Sequence, residues 1–414
     1  MKLSICCRFL VLIAIIILHC FAPAKAQQVI TGAERMEVYL PLLKGKKVGV
    51  FANQTSMVKQ THLVDTLLKR GILVKKIFGP EHGFRGKADA GELVKSGKDA
   101  ATGLPIISLY GNHKKPTAAD LADIDVLIFD IQDVGVRFYT FISSLEYCLE
   151  ACLEQKKGLL VLDRPNPNGF YVDGPVLEPA FKSFVGMQPI PIVHGLTVGE
   201  YTLMLAGEQW LSPAANAANS YNVNTQPTAD TPFHIQVIKC KNYTHQTKYK
   251  LPVAPSPNLR DMQSIYLYPS TCFFEGTVCS EGRGTDRPFQ IFGHPTLPKH
   301  LFSFVPKPNE GAKSSKCYQQ TCYGWDEGGS VPEVLKKLDS KIQLKYFLEA
   351  YRLFPGKDSF FLKTMFIHKL AGNDRLMQQV ISGATENEIR ESWKPALNQF
   401  KLKRKKYLLY QDFE

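Results

Sequence analysis

The sequence predicts an α/β protein: a Rossmann-like N-terminal domain followed by a smaller α+β domain. Three observations predict it. From Lys46 onward, short apolar runs alternate with stretches of helical periodicity. The apolar runs are continuous rather than alternating, as in parallel strands covered by helices on both faces. The alternation then stops at the proline-rich "LPVAPSPNL" (251–259), which sets the expected boundary between residues 27–252 and 253–414.

Element by element, "KVGVFA" (47–52) reads as the first buried strand, and "THLVDTLLKRG" (61–71) as a helix with Gly71 just past its end. "ILVKKIF" (72–78), "LPIISLYG" (104–111), "IDVLIFDIQD" (124–133) and "LLVLDRPNP" (159–167) follow as strands, with a short helix expected from Thr117. "FYTFISSLEYCLEACLEQ" (138–155) has helical periodicity. "TVGEYTLMLAGEQWL" (197–211) is a helix with Thr197 as N-cap and Glu200 at the capping-box position. The polar stretch 212–232 is expected to be an exposed loop before a strand at "HIQVIKC" (234–240). Beyond the boundary, helices are expected at 331–338 and around 374–400.

The first 26 residues stand apart. Lys2 and Arg8 precede the apolar "FLVLIAIIIL" (9–18), and "AKA" (24–26) follows. That order is a secretory signal peptide, and the apolar part is short for a membrane span. The expectation is an exported chain, periplasmic or extracellular and soluble after cleavage. Its net charge of +12 falls to +9 once the three basic residues of this segment leave, which favours acidic partners. Much of the remaining charge sits in "KLKRKK" (401–406), expected as a solvated face, and no interleaved aromatic-basic pattern argues for nucleic acid. Seven cysteines remain after residue 26; Cys272/Cys279 and Cys317/Cys322 suit local disulfides, whereas Cys148 and Cys152 suit core packing on a helix.

In open parallel sheets, ligands bind beyond the carboxyl ends of the strands. Here the strand endings read "GPEHGFRG", "YGNHKKP", "DIQDVGVRFYT" and "DRPNPNG". A functional rim is therefore expected, drawing on Glu81, His82, Arg85, Tyr110, Asp130, Gln132, Asp133, Arg137, Tyr139, Asp163, Arg164, Asn166 and His194. Asp133 also suits a cap for the helix near Phe138, and Asn166 a turn. A second cluster, "FFEGTVCSEGRGTDRPF" (273–289), carries Glu275, Glu281, Arg283 and Asp286 on what reads as a glycine-rich loop.

No G-x-G-x-x-G follows the first strand, and P-loop, HExxH, GxSxG and zinc-like Cys/His spacings are all missing. The expectation is thus no cofactor and no metal. Acids, arginines, asparagines and tyrosines without a cofactor motif suit a carbohydrate site, where one carboxylic acid protonates the leaving oxygen and a second acidic group assists.

The motifs "GPEHGFRG", "SLYG", "FDIQDVGVRFYT", "VLDRPNP", "SFVG", "HGLTVGE", "SPNL" and "FEGTVCSEGRGT", in that order, resemble those of the exo-β-N-acetylmuramidase family. The resemblance implies an active-site cleft between a Rossmann-like domain and a smaller C-terminal one. It implies removal of N-acetylmuramic acid from the non-reducing end of peptidoglycan fragments, such as muropeptides or the MurNAc-GlcNAc disaccharide. On that basis Glu81 is the expected catalytic acid, raised in pKa by partial burial and tuned by His82. Glu275 and Glu281 lead as its partner, with Asp130 behind them. Arg85, Arg137, Arg164 or Arg283 would pair with the lactyl carboxylate of the sugar. Asn258, in "SPNL", joins the substrate-binding set. The alternatives are a non-catalytic muropeptide-binding protein, or a different hydrolase of acidic envelope substrates.

Overall fold

The computed structural model describes residues 27–81, 83–84, 96–218, 223–226, 228 and 234–414. The expected signal segment, His82 and Arg85 lie outside the described residues.

A seven-stranded sheet forms the core of the N-terminal part. Its strands are β1 (Lys47–Ala52), β2 (Leu73–Gly79), β3 (Gly97–Lys98), β4 (Pro105–Ser108), β5 (Val126–Asp130), β6 (Gly158–Leu162) and β7 (Ile235–Ile238). They lie in the order β7-β6-β5-β1-β2-β4-β3. All neighbours pair in parallel except the short edge strand β3, which is antiparallel to β4. The central strand β1 explains its own composition. Val50 sits between Ile77 and Ile128 in the ladder and is fully buried, as are Val48, Phe51 and Ala52. A strand covered on both faces has no solvent side, so no polar alternation is written into it.

Helices pack over this sheet: α1 (Leu63–Lys69), α2 (Ala118–Leu121), α3 (Phe141–Glu154) and α4 (Val198–Gly207). The capping box expected for α4 is present, with Glu200 N donating to Thr197 Oγ1 at 3.2 Å and Thr197 N to Glu200 Oε2 at 2.8 Å. Helix α3 buries nearly all its residues, Cys148 and Cys152 among them. It starts later than its periodicity suggests, because residues 136–139 first make a turn closed by Tyr139 N on Val136 O at 2.8 Å. That turn delivers Tyr139 and Thr140 to the sheet's rim. Asp133 does not cap α3; its Oδ2 accepts from Gly135 N at 2.6 Å.

The stretch expected to be a loop from 212 contains a helix at Pro213–Ala218. Proline at its start, alanine-rich composition and Ser212 Oγ accepting from Ala215 N at 3.2 Å explain it.

In the smaller C-terminal part, α5 (Met262–Thr271) runs into a 3-10 turn at Cys272–Gly276, and a three-stranded antiparallel sheet is formed by β8 (Ile291–His294), β9 (Phe302–Phe304) and β10 (Cys322–Asp326). Helix α6 (Val331–Leu338) follows, then a short α7 (Phe366–Ala371). The helical pattern around 374–400 resolves into two helices, Arg375–Ile381 and α8 (Glu386–Arg404), separated at Gly383 with φ +76°. All seven cysteines after residue 26 are free thiols. The expected Cys272/Cys279 and Cys317/Cys322 disulfides are therefore not formed. Cys272 and Cys279 are instead absorbed separately into the apolar core.

The basic run 401–406 is not simply a solvated face. Arg404 is fully buried, donating to Gly195 O at 2.9 and 3.1 Å and pairing with Asp412 at 2.9 Å. It ties the C-terminal segment back onto the N-terminal part. No helix among the described residues is long and apolar enough to cross a membrane.

Candidate active site

Strand β2 ends at Gly79, and the chain turns at once. Gly83 N donates to Pro80 O at 2.9 Å, and Gly83 takes φ +75°, a conformation glycine adopts without strain. Glu81 sits inside this turn. Its Oε1 accepts from the Tyr110 hydroxyl at 2.9 Å, and its Oε2 from Thr140 Oγ1 at 2.9 Å. The three residues come from the ends of three parallel strands, β2, β4 and β5. The side chain is thereby fixed from two directions on the carboxyl rim of the sheet. Burial, then the charge of Glu81, pushes the Tyr110 phenol well above its ordinary value, so it remains a donor.

Glu81 lines a cavity of about 450 Å³. From the N-terminal part the wall includes Tyr110, Lys114, Tyr139, Thr140 and Phe184; from the C-terminal part it includes Ser256, Tyr268, Glu275, Arg283, Phe289, Phe366 and Lys369. Tyr268 makes edge contacts with Phe138 at 5.3 Å and Phe289 at 4.8 Å, building an aromatic wall.

Glu275 stands on the 3-10 turn after α5 and pairs with Arg283 Nη2 at 2.6 Å. Arg283 Nε faces Glu281 Oε1 at 3.2 Å, and Lys316 Nζ meets Glu281 Oε2 at 2.9 Å. Burial acts to raise the Glu281 carboxyl, but Lys316 and Arg283 overcome it and hold the group below the usual glutamate range. Burial acts to lower Arg283, yet Glu275 and Glu281 raise it, so the guanidinium stays charged. Phe289 beneath it, 5.1 Å from the guanidinium carbon, has φ +63°, a conformation a bulky side chain rarely takes.

Of the residues expected from the sequence, the cavity gathers Glu81, Tyr110, Tyr139, Glu275 and Arg283. Glu281 is buried behind the wall rather than lining it. Others on the rim are turned inward to hold backbone. Arg137 is fully buried and donates to the carbonyls of Pro175, Ile190 and Leu370 at 2.7–2.9 Å. Arg164 is locked to Asp130, Nε to Oδ1 at 2.6 Å. Asp163 accepts from Thr197 Oγ1 and Gly199 N at 2.8 Å each and from the Tyr410 hydroxyl at 2.5 Å. Gln132 Nε2 donates to Asp133 O and Pro165 O at 2.8 and 2.7 Å. Asn166 makes the turn expected of it, accepting from Asn168 N at 2.8 Å, and lies where a Cβ on Gly135 would come within 2.0 Å. Burial pushes the His194 imidazole down to about 3, so it is neutral, and its Nδ1 accepts from Leu196 N at 3.2 Å. Asn258 Nδ2 donates to Gly311 O at 2.7 Å. Asp286 is not among the lining residues.

Sequence reasoning missed Thr140, Phe184, Ser256, Tyr268, Phe289, Phe366 and the two lysines. Phe184 lies inside "SFVG" and Lys114 inside "YGNHKKP", each beside a recognised motif. Phe366 and Lys369 carry no local signal. Among the described residues, no three His, Cys, Asp or Glu side chains come together as a metal-binding group.

This two-part site has close relatives. Residues 48–263 match the family described as exo-beta-N-acetylmuramidase NamZ, N-terminal, and residues 266–410 match its C-terminal counterpart. The chain belongs to the exo-β-N-acetylmuramidase NamZ family. A relative from Bacillus subtilis (strain 168), peptidoglycan beta-N-acetylmuramidase NamZ, is 36% identical over 406 residues, covering 94% of this chain and 92% of the relative. Two crystal structures of DUF1343 family proteins from Bacteroides fragilis share the NamZ-family fold. One superposes with a TM-score of 0.81 at 44% identity, covering 93% of this chain and 100% of that one. The other gives 0.75 at 28% identity, covering 92% and 99%.

Proposed function

We propose that this NamZ-family chain is an exo-acting glycoside hydrolase that releases N-acetylmuramic acid from the non-reducing end of peptidoglycan fragments, down to the MurNAc-GlcNAc disaccharide. The observation that carries the mechanism is the placement of two carboxyl groups, Glu81 and Glu275, on one cavity from different parts of the fold. Glu81 is the general acid that protonates the glycosidic oxygen as the bond breaks. Tyr110 and Thr140 hold both its oxygens, which orients the carboxyl toward the cavity. Glu275 is the second acidic group, stabilising positive charge at the anomeric carbon until water bonds to that carbon and gives up a proton, with Arg283 fixing its position. The aromatic wall of Tyr268, Phe289 and Phe366 receives the faces of the sugar rings.

The Rossmann-like reading is supported by the strand order: without the short β3, the parallel strands run third-second-first-fourth-fifth-sixth in chain order. The reading of the site as an inter-domain cleft is supported by its lining from both family segments. We place the boundary at residues 252/253. The charge, apolar run and small residues of 1–26 support export to the periplasm or beyond, where peptidoglycan fragments arise.

The test is release of free N-acetylmuramic acid from MurNAc-GlcNAc by the purified mature chain. Wild type is expected to release it, and Glu81→Gln to fall by about 10²–10⁴-fold. A folded wild type that binds the disaccharide without cleaving it would leave only the binding-protein alternative.

A further inference from the structure

The muramyl sugar differs from N-acetylglucosamine by one ionised group, the carboxylate of its lactyl ether. Selecting muramides over glucosaminides by charge requires a cation facing that group. The sequence pointed to arginine for this task. In the fold, however, the described arginines it named are engaged elsewhere. Arg137 holds three backbone carbonyls in the core, Arg164 is locked to Asp130, and Arg283 is shared between Glu275 and Glu281.

Among the described residues, two other cations line the cavity, Lys114 and Lys369. Neither forms an ion pair among the described residues, in contrast to neighbouring Lys115, which is held by Glu150 and Glu154 at 2.9 and 2.8 Å. The Lys114 ammonium lies 5.2 Å from the ring centre of Phe184, which also lines the cavity and stacks on Tyr147 at 6.1 Å. This places the charge over a fixed aromatic surface rather than free in solvent. Lys369 projects from the short helix α7, so the two lysines reach the cavity from the two family segments.

The geometry points to Lys114 and Lys369 as the anion subsite that recognises the lactyl carboxylate and so distinguishes muramides from glucosaminides. This inference rests on the muramidase reading. The two ammonium groups are point charges that tolerate the rotation of a lactyl ether, whereas a guanidinium fork fixes a planar partner. They bind substrate and take no part in proton transfer.

The experiment compares kcat/KM on three chromogenic substrates sharing one leaving group: the β-N-acetylmuramide, its lactyl methyl ester, and the β-N-acetylglucosaminide. The ester keeps the shape and removes the charge. Wild type is expected to prefer the acid over the ester by about tenfold or more, a preference that shrinks as salt rises. In Lys114→Met/Lys369→Met the acid-to-ester ratio is expected to fall to within about threefold of unity, mostly through KM. Lys369→Glu, a single change at an exposed position, is expected to favour the ester. A double variant that keeps the wild-type acid-to-ester ratio overturns the anion subsite while leaving the muramidase reading intact. A wild type that cleaves none of the three overturns that reading, and the subsite with it.

Discussion

The Tyr110 hydroxyl donates to Glu81 Oε1 at 2.9 Å, while the opposite oxygen of the same carboxyl is held by Thr140. One side chain is thus fixed by residues that follow two different strands. Removing either donor takes away one of these two holds on the carboxyl. Tyr110→Phe is expected to lower kcat about tenfold, the scale of one lost hydrogen bond of about 1 kcal/mol, and to lower the melting temperature by no more than a few degrees. Steady-state kinetics beside a thermal melt check this. Unchanged kcat would show that Tyr110 does not position the acid.

Glu281, buried behind the cavity wall, bears on stability. Its carboxylate sits between Arg283 and Lys316 at 3.2 and 2.9 Å. Its folded pKa is depressed below the ordinary 4.5, so its stabilising contribution is present above that value and lost as pH falls through the folded pKa. Glu281→Gln is expected to cost about 2–3 kcal/mol at pH 7, less than a fully buried pair because both cations reach solvent. It should also flatten the loss of stability below about pH 4.5. Urea denaturation at pH 4 and pH 7 measures both effects.

Asp133 has the opposite sign. Burial pushes its carboxyl up to about 7 from an ordinary 3.8, and its Oδ1 has no partner among the described residues. The folded protein therefore holds this proton more tightly than the unfolded chain. The resulting advantage is full below pH 3.8 and is lost as pH rises through about 7. Asp133→Asn is expected to gain in melting temperature relative to wild type between pH 5 and about 8. Asp163 and Glu146, raised to about 6 and 7, contribute in the same direction in both proteins, so the difference between the two curves isolates Asp133.

These residues also show how far the sequence could be read. The parallel sheet was legible because burial on both faces writes continuous apolar runs such as "KVGVFA", and the rim was legible because polar residues crowd where those runs end. What was not legible is which of those polar residues face the ligand. Arg137 and Glu81 look alike in the sequence, but Arg137 points into the core to satisfy carbonyls and Glu81 points out. Buried backbone needs partners as much as a substrate does, and both demands select the same residue types. Lys369 was invisible for another reason. Its helix α7 carries no motif, and only the packing of the C-terminal part brings it to the cavity that Lys114 also lines. Arg404 was misread because a basic run gives no sign that one member turns inward to Gly195 O.

In the proposed mechanism Glu81 supplies the proton to the departing sugar. The most direct measurement of that step is kcat/KM for wild type and Glu81→Gln on β-N-acetylmuramides whose leaving groups differ in basicity. A 2,4-dinitrophenyl group departs without protonation, whereas an N-acetylglucosamine leaving group requires it. The variant is expected to lose about 10²–10⁴-fold on the sugar leaving group and less than about tenfold on dinitrophenyl. Equal losses on both, or no loss on the sugar, would contradict the assignment of Glu81 as the acid.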